Sequence, residues 1–345
     1  MKHMKQMKHL FLSAVFAIAA GSYGAVLTFA LYPSAAGASQ LRATFDGNIR
    51  NNSLALSPDE TTAVVSNSER PEIIVYDLAK GSVRGVLSGY VTPRNIVFAP
   101  DGKAFYISDS SLGEIVKIDS ATLKPLSRLA AGPGSFGTTL SKDGRALYIN
   151  NQAADTVTRF DINSGLAKTV ITGFAQPRQG IRLSPDNTKL YVTNFLGDKV
   201  TIVDTKTNKI EGEISGFNKL RAISVSADGK LMFAANSGAD NIAIVDIAKR
   251  QITSTVPVGK EPYGAALTPD GKFVYSGNLA DNSVSVIDVK TLKVVDTIKG
   301  FNGPRQAIAF TRDSKLAYVL NEDLSISEVD SASQRIVGRI AVAKN

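Results

Sequence analysis

The sequence predicts an all-β fold, a seven-bladed β-propeller of four-stranded antiparallel blades. Three series of residues carry that reading. A small residue, a variable residue and Asp recur with the Asp at Asp59, Asp101, Asp143, Asp186, Asp228, Asp270 and Asp313, in steps of 42, 42, 43, 42, 42 and 43 residues. A second landmark keeps the same phase at Asn67, Asp109, Asn151, Asn194, Asn236, Asn278 and Asn321. A third keeps it at Asp77, Asp119, Asp161, Asp204, Asp246, Asp288 and Asp330. Three markers in step over seven units are the signature of a repeat architecture.

Each unit reads as four short strands. In the fifth these are Arg221–Val225, Leu231–Ala235, Asn241–Val245 and Gln251–Val256, with turns at Ala227-Asp228-Gly229 and Asp246–Lys249. β-Branched residues bounded by Gly and Asp turns fit strands of about five residues. The residue before the third landmark is always apolar (Val203, Val245, Ile287 and their counterparts), as is the residue three positions earlier (Val200, Ile242, Val284). Side chains alternate along a strand, so these two positions face opposite ways and both faces of the sheet are predicted to be buried. A solenoid would also bury both faces but would need polar caps, which neither end unit resembles. Length alone, 345 residues, suggests about two domains. The repeat instead predicts one closed ring over residues 49–343.

Tyr191-Val192-Thr193-Asn194 is the tetrapeptide of the YVTN β-propeller repeats, and variants end at each second landmark. The chain resembles a seven-bladed member of that family, which includes surface-layer and lactonase-like propellers in exported settings. The first unit departs from the pattern with Val64-Val65-Ser66-Asn67. The resemblance implies the fold, and it raises a lactonase-like hydrolase or lyase as an alternative function.

Residues 1–38 read as a leader. Lys2, Lys5 and Lys8 precede an uncharged run, Leu10 to Tyr32, and Ala36-Gly37-Ala38 supplies a signal-peptidase pattern. A cleaved signal is expected, with a retained membrane anchor as the alternative because the run is long enough to span a bilayer. Either way the remainder is expected to be exported, periplasmic or extracellular. Residues 39–48 form a lead-in. Leu41–Phe45 aligns with the outer-strand position of the last unit, so either it or Arg335–Val342 is expected at the edge of blade seven, with the other able to add beside it.

Composition narrows the chemistry. There is no Cys and no Trp, and the two His, His3 and His9, both lie in the leader. Disulfides, thiolate sites, Ser-His-Asp and Cys-His nucleophile systems and ordinary zinc sites are therefore outside the reach of residues 39–345. No metal site and no cofactor are expected. An enzyme would have to rely on carboxylates, Lys, Tyr or a hard cation. Loss of the three leader lysines lowers the formal net charge from +8 to +5, which disfavours extended nucleic-acid binding.

The landmark Asp and Asn residues read as turn and loop formers, since seven equivalent positions cannot all be one active site. The informative positions are those where the units differ. Seven residues before each turn Asp, where the inner strand begins, stand Asn52, Arg94, Phe136, Gln179, Arg221, Tyr263 and Gln306, and the 43-residue units add Arg178 and Arg305 one residue earlier. In a propeller these converge on one mouth of the central channel. Four Arg and two aromatics suit an anionic or planar ligand. At ~10 Å in water each Arg attracts a unit anion by roughly 0.4 kcal/mol before screening, which steers without specifying. Loop acids on the same face (Glu69, Glu114, Asp155, Asp198, Asp240, Asp281, Glu322 and Asp323) offer the opposing reading, in which they pair with the Arg residues and cancel the field.

The sequence thus points to a non-enzymatic, monomeric binding or scaffold propeller. It would engage an anionic small molecule, a polyanion or an acidic protein segment at the Arg-lined mouth. A lactonase-like enzyme and an envelope structural module are the alternatives. Membrane contact is expected only if the leader is retained.

Overall fold

The computed structural model describes residues 42–43 and 49–342, without the side chain of Gln179. The leader expected over residues 1–38 lies outside the described residues, as does most of the lead-in. Among the described residues no helix is long and apolar enough to cross a membrane.

Seven four-stranded sheets are present, each built from four consecutive antiparallel strands. Blade 5 has Leu220–Val225, Leu231–Asn236, Asn241–Asp246 and Gln251–Pro257 from channel to rim, within a residue or so of the sequence prediction. Inner strands shorten in the last two blades, to Ala266–Leu267 and Ile308–Phe310, so Tyr263 and Gln306 precede their strands instead of opening them. Gly277 and Gly264 account for the gap in blade 6: a Cβ on Gly277 would lie 2.2 Å from the Arg305 carbonyl oxygen, and one on Gly264 3.0 Å from it. Only glycine admits that approach.

Burial on both faces is the organising feature. Val200 and Val203 are both fully buried, Val200 with Met232 and Ala234 of blade 5 and Val203 with Ala146 and Tyr148 of blade 3. Each interface between neighbouring blades repeats this scheme. Outer strands are more exposed: Gln251–Pro257 alternates, and Lys293–Lys299 is exposed along most of its length, because the rim meets solvent.

Ring closure uses no exchanged strand. Blade 1 is complete from Asn52 to Leu87 and blade 7 from Ile308 to Ile340. The two are joined by apolar packing of Ala63, Val65, Ile74 and Tyr76 against Tyr318, Leu320, Leu324 and Ile326. Polar latches flank it: the Tyr76 hydroxyl donates to the Leu324 carbonyl at 2.6 Å and the Arg312 backbone N–H to Glu60 at 2.6 Å. Of the two segments expected at the edge of blade seven, Arg335–Val342 supplies it, and the described part of Leu41–Phe45 lies elsewhere. Arg42 donates to the Ile49 carbonyl at 2.6 Å and the Ala43 N–H to Ser111 Oγ at 3.0 Å, against the loops of blades 1 and 2. The edge of blade 7 is Arg335–Ile340.

The landmarks are structural. Asp186 accepts from the Ser184 hydroxyl (2.5 Å) and the Thr188 N–H (3.0 Å), closing its hairpin. Asp204 accepts from the Thr207 N–H at 2.7 Å, an Asx-turn between the outer strands. Asn194 accepts the Ala175 N–H at 2.8 Å and donates to Thr201 Oγ1 at 2.9 Å, fixing the segment that enters the inner strand. A fourth repeated contact escaped the sequence reading. Asp155, Asp198, Asp240 and Asn282, all at φ between 42° and 52°, accept the backbone N–H of Gln176, Leu220, Glu261 and Gly303. Each ties a loop of one blade to the entry of the next.

Three outcomes are expected. Tyr76→Phe leaves the buried Leu324 carbonyl without its donor and should cost about 1 kcal/mol in urea unfolding. Asp240→Ala should destabilise by about 1 kcal/mol through loss of the inter-blade hydrogen bond, whereas Asp240→Asn, which copies Asn282, should recover most of it. Acid should weaken the fold in a defined window. The hydroxyl and backbone donors around Asp186, Asp204 and Asp313 hold their carboxyls at about 2. Their contribution is complete above the unfolded value near 3.9 and is lost as pH falls through about 2, so the urea midpoint should drop between about pH 4 and pH 2.

Candidate functional site

The inner strands converge on one mouth, and a bulge aims their first residues. In blade 2 Pro93 pairs with Asp109 and Ile96 with Ile107; in blade 5 Leu220 pairs with Asn236 and Ile223 with Ala234. One extra residue therefore sits in each inner strand, at Arg94 or Arg221. Blade 4 accommodates a further residue between Pro177 and Ile181. Counted from that end, Arg178 and not Gln179 takes the place of Arg94 and Arg221, and Arg305 follows Pro304 as Arg178 follows Pro177. Gln179 and Gln306, seven residues before the turn Asp, thus follow the Arg of their own blade, because an inserted residue shifts a register counted from that Asp. The Gln179 side chain lies outside the described residues. Blade 1 has no bulge: Asn52 pairs with Asn67 and Leu54 with Val65.

Carbonyls at these positions anchor to the preceding blade. Asn51 Nδ2 donates to the Arg94 carbonyl at 2.9 Å, Ser108 Oγ to that of Phe136 at 2.6 Å, and the Ala222 N–H to that of Tyr263 at 3.3 Å. With the backbone held, the side chains stack. The Arg94 guanidinium lies 4.3 Å from the Phe136 ring centre. A longer ladder runs from Arg178 through Phe195, Arg221 and Tyr263 to Arg305, with guanidinium-to-ring distances of 3.5, 5.6, 4.6 and 5.1 Å. Phe195 was missed in the sequence. Its signal was available, because it follows the Asn194 landmark where other units carry Ser68, Ser110, Gln152, Ser237, Leu279 or Glu322.

The four Arg divide by role. Arg94 is fully buried, donating from Nε to Ser110 Oγ (2.8 Å) and from Nη1 to Asn51 Oδ1 (2.8 Å) and the Ile49 carbonyl (3.0 Å). It ties the segment entering blade 1 to blade 2, and Phe136, also fully buried, supports it. Arg305 is 6 % exposed and lies 3.8 Å from Glu322. Arg178 and Arg221 are half-buried and make no ion pair among the described residues; Arg221 has Ser237 Oγ at 3.2 Å. Burial, reinforced by the neighbouring positive Arg221 and Arg94, pulls the Arg178 guanidinium down to about 10. It remains charged at neutral pH.

The loop acids do not cancel that field. Glu69 pairs with Arg50 and Glu114 with Arg128. Asp155, Asp198 and Asp240 serve the next blade, Asp281 accepts the Lys260 N–H at 2.6 Å, and Asp323 caps Ser325. Of the eight, Glu322 reaches a mouth Arg. Asn52, Asn95, Phe136, Arg182 and Gln306 line a cavity of about 300 Å³ in the channel. A larger groove, about 640 Å³, lies among the turns of blades 1 and 2 on the opposite face, where Asp59 is already bonded to Ser57 and Thr61. No group of three or more His, Cys, Asp or Glu able to hold a metal ion is present among the described residues.

Comparisons agree with this geometry. Residues 53–211 match the family model "Lactonase, 7-bladed beta-propeller", and residues 185–308 match that of the cytochrome D1 heme domain. No curated protein matches. Among solved structures, Kuenenia stuttgartiensis hydrazine synthase aligns with 21 % identity and a TM-score of 0.63, over 72 % of this chain and 86 % of that one. At that identity the likeness is one of fold. The chain is a seven-bladed β-propeller similar to the lactonase-type propellers.

Proposed function

We propose that this chain is an exported, non-enzymatic binding module that receives an anionic, planar group at the arc formed by Arg178, Phe195, Arg221, Tyr263 and Arg305. One observation carries the reading: Arg178 and Arg221 stack against Phe195 without a carboxylate partner among the described residues. A guanidinium stacked on a ring keeps its N–H edge available for carboxylate or phosphate oxygens. The aromatic faces add a surface for a flat ligand or for a residue of an acidic partner segment. The apolar leader with its basic flank supports export.

The haem-domain match raises a tetrapyrrole as the flat anion. Residues 49–342 contain no His or Cys, Met232 is buried between blades 4 and 5, and Tyr263 is held between two guanidinium groups. These residues do not fit a haem whose iron takes a His, Cys or Met ligand. The lactonase match supports a second reading, a hydrolase using mouth carboxylates. Against it, Asp155, Asp198 and Asp240 are engaged by backbone N–H groups.

Titration of the full chain with trimesate and with poly-glutamate at low salt tests the proposal. Binding should weaken as salt is added, and Arg178→Ala with Arg221→Ala should reduce affinity by about tenfold or more. An affinity unchanged in that double variant rejects the reading, and turnover of a simple lactone that survives it would favour the hydrolase.

A further inference from the structure

Below the mouth, the inner strands enclose the cavity of about 300 Å³, room for roughly ten waters or one small ligand. Its polar lining is unevenly satisfied. Asn95 is complete: its amide nitrogen donates to the Thr138 carbonyl (3.1 Å) and hydroxyl (2.7 Å), and its oxygen accepts from Ser53 Oγ (3.3 Å). Asn52 is only 2 % exposed, yet neither its side-chain oxygen nor its nitrogen has a partner among the described residues. Gln306 spends its amide nitrogen on the Asn52 carbonyl, leaving its own side-chain oxygen without one.

Arg182 adds the charge. Its Nη1 donates to the adjacent Ile181 carbonyl at 2.9 Å, and it makes no ion pair among the described residues. It is open to the channel but enclosed by the inner strands, and that enclosure depresses its guanidinium below the usual range. Arg178 stands four residues away on the same strand, at most about 13 Å along it. An anion drawn to the mouth therefore has a second guanidinium beneath it.

The unfilled groups define a ligand. Arg182 and the Asn52 amide nitrogen call for acceptors, whereas the side-chain oxygens of Asn52 and Gln306 call for donors. Exchanging the Asn52 oxygen and nitrogen leaves the same demand for one donor and one acceptor. A cationic donor would meet repulsion from Arg182 and from Arg178 and Arg221 above it, so the donor is a neutral hydroxyl. We propose that the channel binds a small oxyanion carrying its own hydroxyl, a hydrogenphosphate or a short hydroxycarboxylate. Arg182 takes the charged oxygens, while Asn52 and Gln306 take the hydroxyl and a remaining oxygen. This site is separate from the mouth arc.

Calorimetric titration of the full chain with phosphate, sulfate, lactate and propionate at matched ionic strength tests it. Phosphate should bind about tenfold or more tightly than sulfate, or lactate than propionate, since the second of each pair lacks the hydroxyl. Whichever pair separates identifies the source of the oxyanion. Arg182→Met, of similar length, should lose about tenfold or more, and Asn52→Ala should narrow the preference for the hydroxyl; thermal melts confirm that each variant is folded. The Arg178/Arg221 double variant should stay within about threefold of wild type for the preferred anion, so failure of the mouth reading shows only with trimesate and poly-glutamate. Equal affinity for both members of each pair, no binding at millimolar anion, or unchanged binding in Arg182→Met overturns the proposal.

Discussion

Burial of each sheet on both faces is the constraint from which the rest of the molecule follows. A four-stranded sheet with apolar side chains on both sides cannot meet water on either, so each blade needs a neighbour on each side. Seven blades meet that need by closing. Blade 1 must then dock on blade 7, and it does so through side chains alone, with the Tyr76 and Glu60 contacts fixing the angle of approach. Because every blade is held from both sides, the inner-strand entries have little freedom, and a side chain placed there points where its neighbours' side chains also point.

That geometry separates charges which the sequence leaves mixed. Asp155, Asp198 and Asp240 sit in mouth-face loops with left-handed backbone, where N–H groups of the next blade lie within reach. They settle on those donors, while Glu69 and Glu114 pair with Arg50 and Arg128. The arginines lie deeper, beside Phe136, Phe195 and Tyr263, and stack there. A ring face attracts a guanidinium without neutralising it. The positive field therefore survives at the mouth although the acids outnumber the mouth arginines two to one.

Matches to lactonase and haem-domain models, and to a hydrazine synthase structure, are what a widely used ring would give. The shared part is the blade, whose residues keep the sheets packed. The parts that meet a ligand are the bulged inner-strand entries and channel faces, where one blade differs from the next, and similarity of fold says little about them.

The sequence by itself determined the number of blades, their four strands, the turn chemistry at each landmark and the residues that bury both faces, because each of these is local or strictly periodic. It also located the mouth and six of the side chains that stack there as Arg or aromatic residues. Tertiary structure decided the rest. A bulge is visible only in strand pairing, so the sequence could not show that Arg178 takes the place of Arg94 and Arg221. Phe195 enters from a different loop, and Arg94 is spent on tying the entry of blade 1, at Ile49 and Asn51, to blade 2. Whether an acid meets an arginine or a backbone N–H depends on which is nearer across a blade boundary, and that distance is set by the closed ring and by no stretch of chain alone.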